Sequence, residues 1–174
     1  MRKALVLLVP LLIATTPALA QTEAPVRLQQ NPQIDYATFS ALVRDLGPVR
    51  EARRLGWTAF AKAAARDNAI LLDARSADAF AKGHLKGAIN LPFTDFTAES
   101  LQAVLGNDPD RPIYIYCNNN FSDHRPPVPL KSAPLALNIP TFINLHGYGY
   151  RNIWELADVI DSAAPDVVWE TSAP

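Results

Sequence analysis

Apolar side chains recur at helical spacing at Tyr36, Phe39, Leu42, Val43 and Leu46, with Asp35 in the N-cap position and Gly47-Pro48 following as a stop signal. This pattern predicts an amphipathic helix that must pack on something. Beyond it, short apolar runs alternate with helical patterns: 57–65 helical, 69–72 strand, 77–81 a short helix, 88–91 strand, and 98–105 helical with Gly106 as C-cap. The alternation continues with 113–116 as strand, a Pro-rich loop, 131–137 helical with Pro134 in its first turn, 141–145 strand and 150–160 helical. Strands that alternate with helices build βαβ units, so the expected fold is α/β, with a mainly parallel central sheet flanked by helices. Ligands of such sheets bind beyond the carboxyl ends of the strands, at loops that lead into helices. Cys117 stands at such a place, directly after the 113–116 strand. No internal repeat or second domain is visible.

The first residues belong to a different class. Arg2 and Lys3 precede an apolar run over 4–13, broken only by Pro10, and the small-residue ending Ala18-Leu19-Ala20 follows. These are the features of a secretory signal peptide over 1–20 with an Ala-x-Ala cleavage site. The apolar run is shorter than the roughly 20 residues a membrane-spanning helix needs, so the product is expected without stable membrane insertion, in the periplasm or secreted. Residues 21–33 are polar with Pro25 and Pro32, and read as a flexible leader. The organisation expected is therefore signal 1–20, leader 21–33, an additional helix over 34–50, the main domain over 51–162 and a tail over 163–174.

Composition narrows the function classes. The 174 residues are 49% apolar and 19% charged, which is ordinary for one globular domain. Net charge is −1, and the densest basic stretch, Arg50, Arg53 and Arg54, has Glu51 in its midst, so no nucleic-acid partner is expected. A single cysteine excludes an intramolecular disulfide framework, Cys-x-x-Cys exchange and any zinc site of several cysteines. His84, His124 and His146 do not stand at zinc-ligand spacing with Cys117, so no metal is expected.

One stretch is far more specific. Asp73 and Arg75 leave a strand, Asp78 and Phe80 form an acidic-then-aromatic pair, and Gly83-His84-Leu85-Lys86-Gly87-Ala88-Ile89-Asn90-Leu91-Pro92 follows. This run closely resembles the N-terminal signature of the rhodanese family. His146-Gly147-Tyr148-Gly149-Tyr150-Arg151-Asn152-Ile153-Trp154 is similar to the family's C-terminal Gly-rich turn and Trp-bearing helix, and Cys117 falls at the position of the family's catalytic cysteine. The resemblance covers about 55–160 and implies a rhodanese-like three-layer α/β domain. The residues have structural readings of their own. Gly83 and Gly87 suit tight turns, Arg75 and Asp78 can pair across a first helical turn, His84 can bond the nearby backbone, and Trp154 can anchor an amphipathic helix in the core.

The resemblance implies sulfur transfer through a Cys117 persulfide, with a small sulfur-containing anion as donor, a thiol or other nucleophile as acceptor, and no cofactor. In rhodaneses a short loop curls round the sulfur so that backbone N–H groups and a helix N-terminus point at it, an arrangement that favours a thiolate and binds anions. The corresponding candidates are Cys117 as nucleophile and Asn118, Asn119, Asn120, Phe121, Ser122 and Arg125 around the substrate. Here the loop is longer than in active members, extending from Asn118 to Leu130, and Pro126, Pro127 and Pro129 withhold N–H donors. Asp123 opposes a nearby thiolate, whereas Arg125 and a protonated His124 favour it. The asparagines either cradle the sulfur in left-handed conformations or form a solvated turn. The related phosphatases and arsenate reductases clasp an oxyanion with an arginine at the place where this chain has Asp123, which argues against phosphoryl chemistry. The competing reading is a non-catalytic module whose long loop and extra helix bind a protein partner or small anion, with Tyr148, Tyr150 and Phe121 along its surface. In that reading Cys117 is simply a small buried hydrophobe.

Overall fold

The computed structural model describes residues 31–122 and 129–172, and residues 35–174 form one compact unit. The 1–20 segment expected to be a signal peptide, nearly all of the expected leader, Asp123, His124 and Arg125 lie outside the described residues. Helix α1 spans Tyr36–Glu51, capped by the Asp35 carboxylate, which accepts the Thr38 N–H at 2.9 Å. Gly47-Pro48 does not stop it: the helix continues through Pro48, and Ala52 N–H still bonds the Pro48 carbonyl. Tertiary contacts outweigh the local signal, because Leu46 packs on the core and Arg50 is held by an ion pair with Glu155.

The strands are β1 (Arg54–Leu55), β2 (Ile70–Asp73), β3 (His84–Leu85), β4 (Ile89–Asn90), β5 (Ile113–Tyr116), β6 (Ile153–Leu156) and β7 (Trp169–Glu170). Five of them form one sheet in the order β1-β6-β5-β2-β4, and every pairing in it is parallel. The remaining helices are α2 (Trp57–Ala64), α3 (Ala77–Lys82), α4 (Ala98–Leu105) and α5 (Asn138–Gly147). Alternation along β5 shows how the layers arise: Ile113 and Ile115 enter one apolar cluster with Leu101, Leu105, Phe142 and Leu145, while Tyr114 and Tyr116 enter another with Phe60, Phe121 and Leu156. The sheet is buried on both faces, as the alternating sequence pattern implied.

The carboxyl half departs from the sequence expectation. Residues 141–145 are helical, not a strand, and lie within α5. Apolar runs of this length fit either state, and spacing decides: Phe142 and Leu145 lie on one face, with Asn138 and Thr141 buried beside them, and Pro140 sits in the first turn, where its missing N–H costs nothing. Residues 150–160 are not helical; they contain β6, where Ile153 joins one cluster while Trp154 and Leu156 join the other. The helix expected over 131–137 shrinks to a 3-10 turn at Ala133–Leu135. The presumed tail is built into the unit, since β7 pairs antiparallel with β3, placing His84 opposite Glu170 and Leu85 opposite Trp169.

Candidate active site

Parallel strands deliver their carboxyl ends to one edge of the sheet, and the specific residues gather there. At the end of β2 Asp73 is fully buried and Arg75 nearly so. Arg75 donates Nε to Asp73 Oδ1 and Oδ2 at 2.9 and 3.0 Å and Nη2 to Oδ2 at 2.6 Å, and Nη2 also reaches the Gly83 carbonyl at 2.7 Å. Tyr116 Oη donates to Asp73 Oδ2 at 2.6 Å and accepts the Leu85 N–H at 3.1 Å. Burial alone would lower the Arg75 guanidinium, but the hydrogen bond and charge of Asp73 reverse this and hold it charged. Asp78, the partner expected for Arg75, pairs with Lys82 at the surface instead, at 2.7 Å. The carboxylate two residues before Arg75 lies inside the sheet, whereas Asp78 lies on the exposed face of α3.

The other signature residues are structural. Asn90 Nδ2 donates to the Asp73 and Arg75 carbonyls at 2.8 and 3.0 Å, tying β4 to the turn after β2. His84 stacks on Phe80 with ring centroids 3.6 Å apart, and its Nδ1 donates to the Phe80 carbonyl at 2.8 Å. Gly87 has φ +78°, a conformation that favours glycine, whereas Gly83 at φ 162° is extended and needs none. The His146–Trp154 segment is the end of α5, the turn at Gly149 and the start of β6, not a Gly-rich turn before a helix. Trp154 is half-buried on a strand with the Arg53 guanidinium 4.6 Å above its ring.

Cys117 follows β5 and opens a 3-10 turn, Asn118–Asn120. Its side chain is 1% exposed. The N–H groups of Asn119, Leu137 and Asn138 are directed at the sulfur, and that of Asn120 turns back on it as well. Leu137 is the N-cap of α5 and Asn138 its first residue, so the long loop still returns a helix N-terminus to the cysteine. Burial pushes the Cys117 thiol above its ordinary value; the N–H groups of Asn138, Asn119 and Leu137 pull it back in part, and the Glu155 carboxylate adds to the rise.

The sequence candidates take distinct places. Asn118 is buried, and its Oδ1 lies 3.4 Å from Arg75 Nη1. Asn119 exchanges hydrogen bonds with the Lys131 backbone, closing the base of the long loop. Asn120 is a buried pin: its Oδ1 accepts the Cys117 N–H at 2.9 Å and Asn138 Nδ2 at 3.0 Å, and its Nδ2 donates to the Leu156 and Asp158 carbonyls. Phe121 is a core residue between Tyr116 and Trp169. Ser122 is exposed and bonds the Ile160 carbonyl through its N–H. Phe121 and Tyr150 are both buried and only Tyr148 is exposed, so these aromatics form no common surface. Leu137, Asn138 and Glu155 carry no mark in the sequence as neighbours of Cys117, because the spacing predicts a helix ending at Leu137, a strand over 141–145 and a helix over 150–160 where the fold has α5 and β6.

Beside the sulfur lies a cleft of about 790 Å³, lined among others by Ser76, Lys82, Thr94, Asn118, Lys131 and Leu137. Asn118 and Leu137, which adjoin Cys117, line it, whereas the buried Cys117 is not among its lining residues. Arg75, Lys82 and Lys131 bring cationic groups to the cleft, Lys82 paired with Asp78, which also lines it. Among the described residues no cluster of His, Cys, Asp and Glu is large enough to hold a metal ion.

Comparison with known proteins follows the same lines. The family model for the rhodanese-like domain matches residues 57–157. No curated protein matches significantly. Among solved structures, a rhodanese-like domain of an Anabaena protein is 18% identical, with 60% of this chain and 94% of that one covered and a TM-score of 0.42. A Bacillus halodurans protein is 15% identical over 67% of this chain and 73% of its own, TM-score 0.45. The polysulfide-sulfur transferase homodimer of Wolinella succinogenes is 22% identical over 70% and 77%, TM-score 0.38. With a family model covering more than half of its length and a single cysteine at the carboxyl end of the central strand, the chain belongs to the rhodanese-like domain family.

Proposed function

We propose that the domain is an exported sulfurtransferase that carries a sulfane sulfur as a Cys117 persulfide. The observation that carries this reading is the set of N–H groups from Asn119, Leu137 and Asn138 aimed at the sulfur, two of them from the start of α5. Such donors stabilise a thiolate and, once sulfur is bound, the outer persulfide anion. With thiosulfate as donor, the Cys117 thiolate attacks the outer sulfur, the S–S bond of thiosulfate breaks, and sulfite leaves with the electron pair. An acceptor nucleophile such as cyanide or a thiol then takes the outer sulfur and releases the Cys117 thiolate. No net oxidation occurs and no cofactor is needed. Lys131, which lines the cleft beside the paired Lys82 and Asp78, suits a small anionic donor. Export rests on the 1–20 segment, and in an oxidising compartment a buried sulfur is shielded from bulk oxidants.

The reading is tested by thiocyanate formation from thiosulfate and cyanide, which Cys117→Ser should abolish. Because burial raises the thiol, the thiolate grows as pH rises, so the rate should still be climbing above neutrality and level off only above the ordinary thiol range. Access gives a separate expectation. Leu137→Ala removes a side chain from the cleft lining and keeps the backbone N–H, so alkylation of Cys117 by iodoacetamide should become several-fold faster; an unchanged rate would place the route to the sulfur elsewhere.

The near-complete burial of Cys117 favours a second reading, a non-catalytic module that binds a protein partner or a small anion in the cleft. A folded chain that binds thiosulfate or sulfite reversibly and forms no thiocyanate would support it.

A further inference from the structure

A buried polar chain runs from the additional helix to the cysteine loop. Arg50, near the end of α1, donates Nη2 to Glu155 Oε1 on β6 at 2.5 Å, and the Glu155 side chain is 5% exposed. Asn138 Nδ2, at the start of α5, lies 3.4 Å from the same Glu155 oxygen and 3.0 Å from Asn120 Oδ1. Asn120 Oδ1 in turn holds the Cys117 N–H. Elements that are far apart in sequence thus meet at one carboxylate. Arg50 lies outside the 57–157 span of the family model, whereas Cys117, Asn120, Asn138 and Glu155 lie within it.

We infer that Arg50 is a positioning residue for Cys117: by pairing with Glu155 it neutralises a buried carboxylate next to the sulfur and holds Asn138 and Asn120 in the arrangement that aims the loop's N–H groups. The physical argument is that a buried carboxylate with its partner removed acts at full strength on its surroundings, because little solvent screens it. Three polar atoms at the junction, Arg50 Nε, Glu155 Oε2 and Asn138 Oδ1, are buried with no partner among the described residues. The ion pair with Arg50 therefore dominates the balance of charge there. The charged group that acts on the sulfur is Glu155 from β6; Arg50 from α1 lies on that carboxylate, Arg75 from the end of β2 reaches Asn118 beside Cys117, and the start of α5 brings only N–H groups and the Asn138 amide. Burial and the Glu155 carboxylate both act to raise the thiol, so removing Arg50 and removing Glu155 should move it in opposite directions.

The inference bears on turnover only through the reading of Cys117 as a nucleophile, but its test reads the thiol directly. The full-length folded protein is titrated by the ultraviolet absorbance of the thiolate and by the pH dependence of iodoacetamide alkylation. Arg50→Met should move the thiol titration to higher pH and slow alkylation at a fixed pH near neutrality roughly tenfold. Arg50→Lys, which keeps the charge, should recover most of the rate. Glu155→Gln should shift the titration the other way and speed alkylation, and Arg50→Met combined with Glu155→Gln should return towards the parent. If Arg50→Met yields no folded protein, Glu155→Gln and Arg50→Lys decide. Folded variants whose Cys117 titrates like the parent would overturn the inference. Opposite shifts in a protein that forms no persulfide from thiosulfate would sustain it and remove the sulfurtransferase reading for that donor.

Discussion

Arg75→Ala should destabilise the domain by about 3–5 kcal/mol, the cost of leaving a buried charge without its partner. The Asp73 carboxylate is fully buried, and apart from Arg75 its side-chain partner is the Tyr116 hydroxyl. Removing the guanidinium also orphans the Gly83 carbonyl, which accepts from the same Nη2. Against a total stability of roughly 5–15 kcal/mol for a small domain, such a loss is a large fraction of the whole. Arg75→Lys should recover little, since an ammonium cannot make the paired contacts of Nε and Nη2 to one carboxylate. Lys82→Ala, which breaks only the exposed pair with Asp78, should stay within about 0.5 kcal/mol of the parent. Urea unfolding at neutral pH checks the set. Equal midpoints for Arg75→Ala and Lys82→Ala would show that the Asp73–Arg75 pair does not hold the end of β2.

Asn120→Ala should cost on the order of 3 kcal/mol and loosen the cysteine loop. One amide satisfies the Cys117 N–H and the Leu156 and Asp158 carbonyls, and it receives the Asn138 side chain besides. Alanine leaves these groups buried without partners, and no rearrangement of a methyl group can replace them. Because the lost bonds join the end of β5 to the end of β6, opening of this loop should become more frequent than global unfolding alone requires. Native-state alkylation of Cys117 in Asn120→Ala should therefore accelerate more than the change in unfolding midpoint accounts for. A variant with the stability and alkylation rate of the parent would contradict the role of this side chain.

How much was legible in the chain depends on how local the signal was. The β2, α3 and β4 region is readable because its turns, caps and signature residues are neighbours in sequence: Ser76 caps α3, Gly87 turns at φ +78°, and Asn90 ties back to Asp73. The partner of Arg75 was misread because helical spacing favours Asp78, while the true partner, Asp73, is selected by burial at the strand end. The α5 and β6 segments were exchanged in type because short apolar runs fit both periods, and only packing shows that Phe142 and Leu145 share a helix face while Ile153 and Leu156 point to opposite sides of the sheet. That exchange hid Leu137 and Asn138, the donors that reach Cys117 after the long loop. Glu155 and Arg50 carry no local mark; their pairing spans 105 residues of sequence and exists only in the fold.

Sulfur transfer through this domain requires that Cys117 accept sulfur. The most direct measurement is the intact mass of the reduced, folded protein after thiosulfate, beside Cys117→Ser, and again after cyanide. One sulfur should be gained only when Cys117 is present, and it should be lost on addition of cyanide. Folded, reduced protein that gains no sulfur from thiosulfate, or that gains it equally in Cys117→Ser, would contradict it.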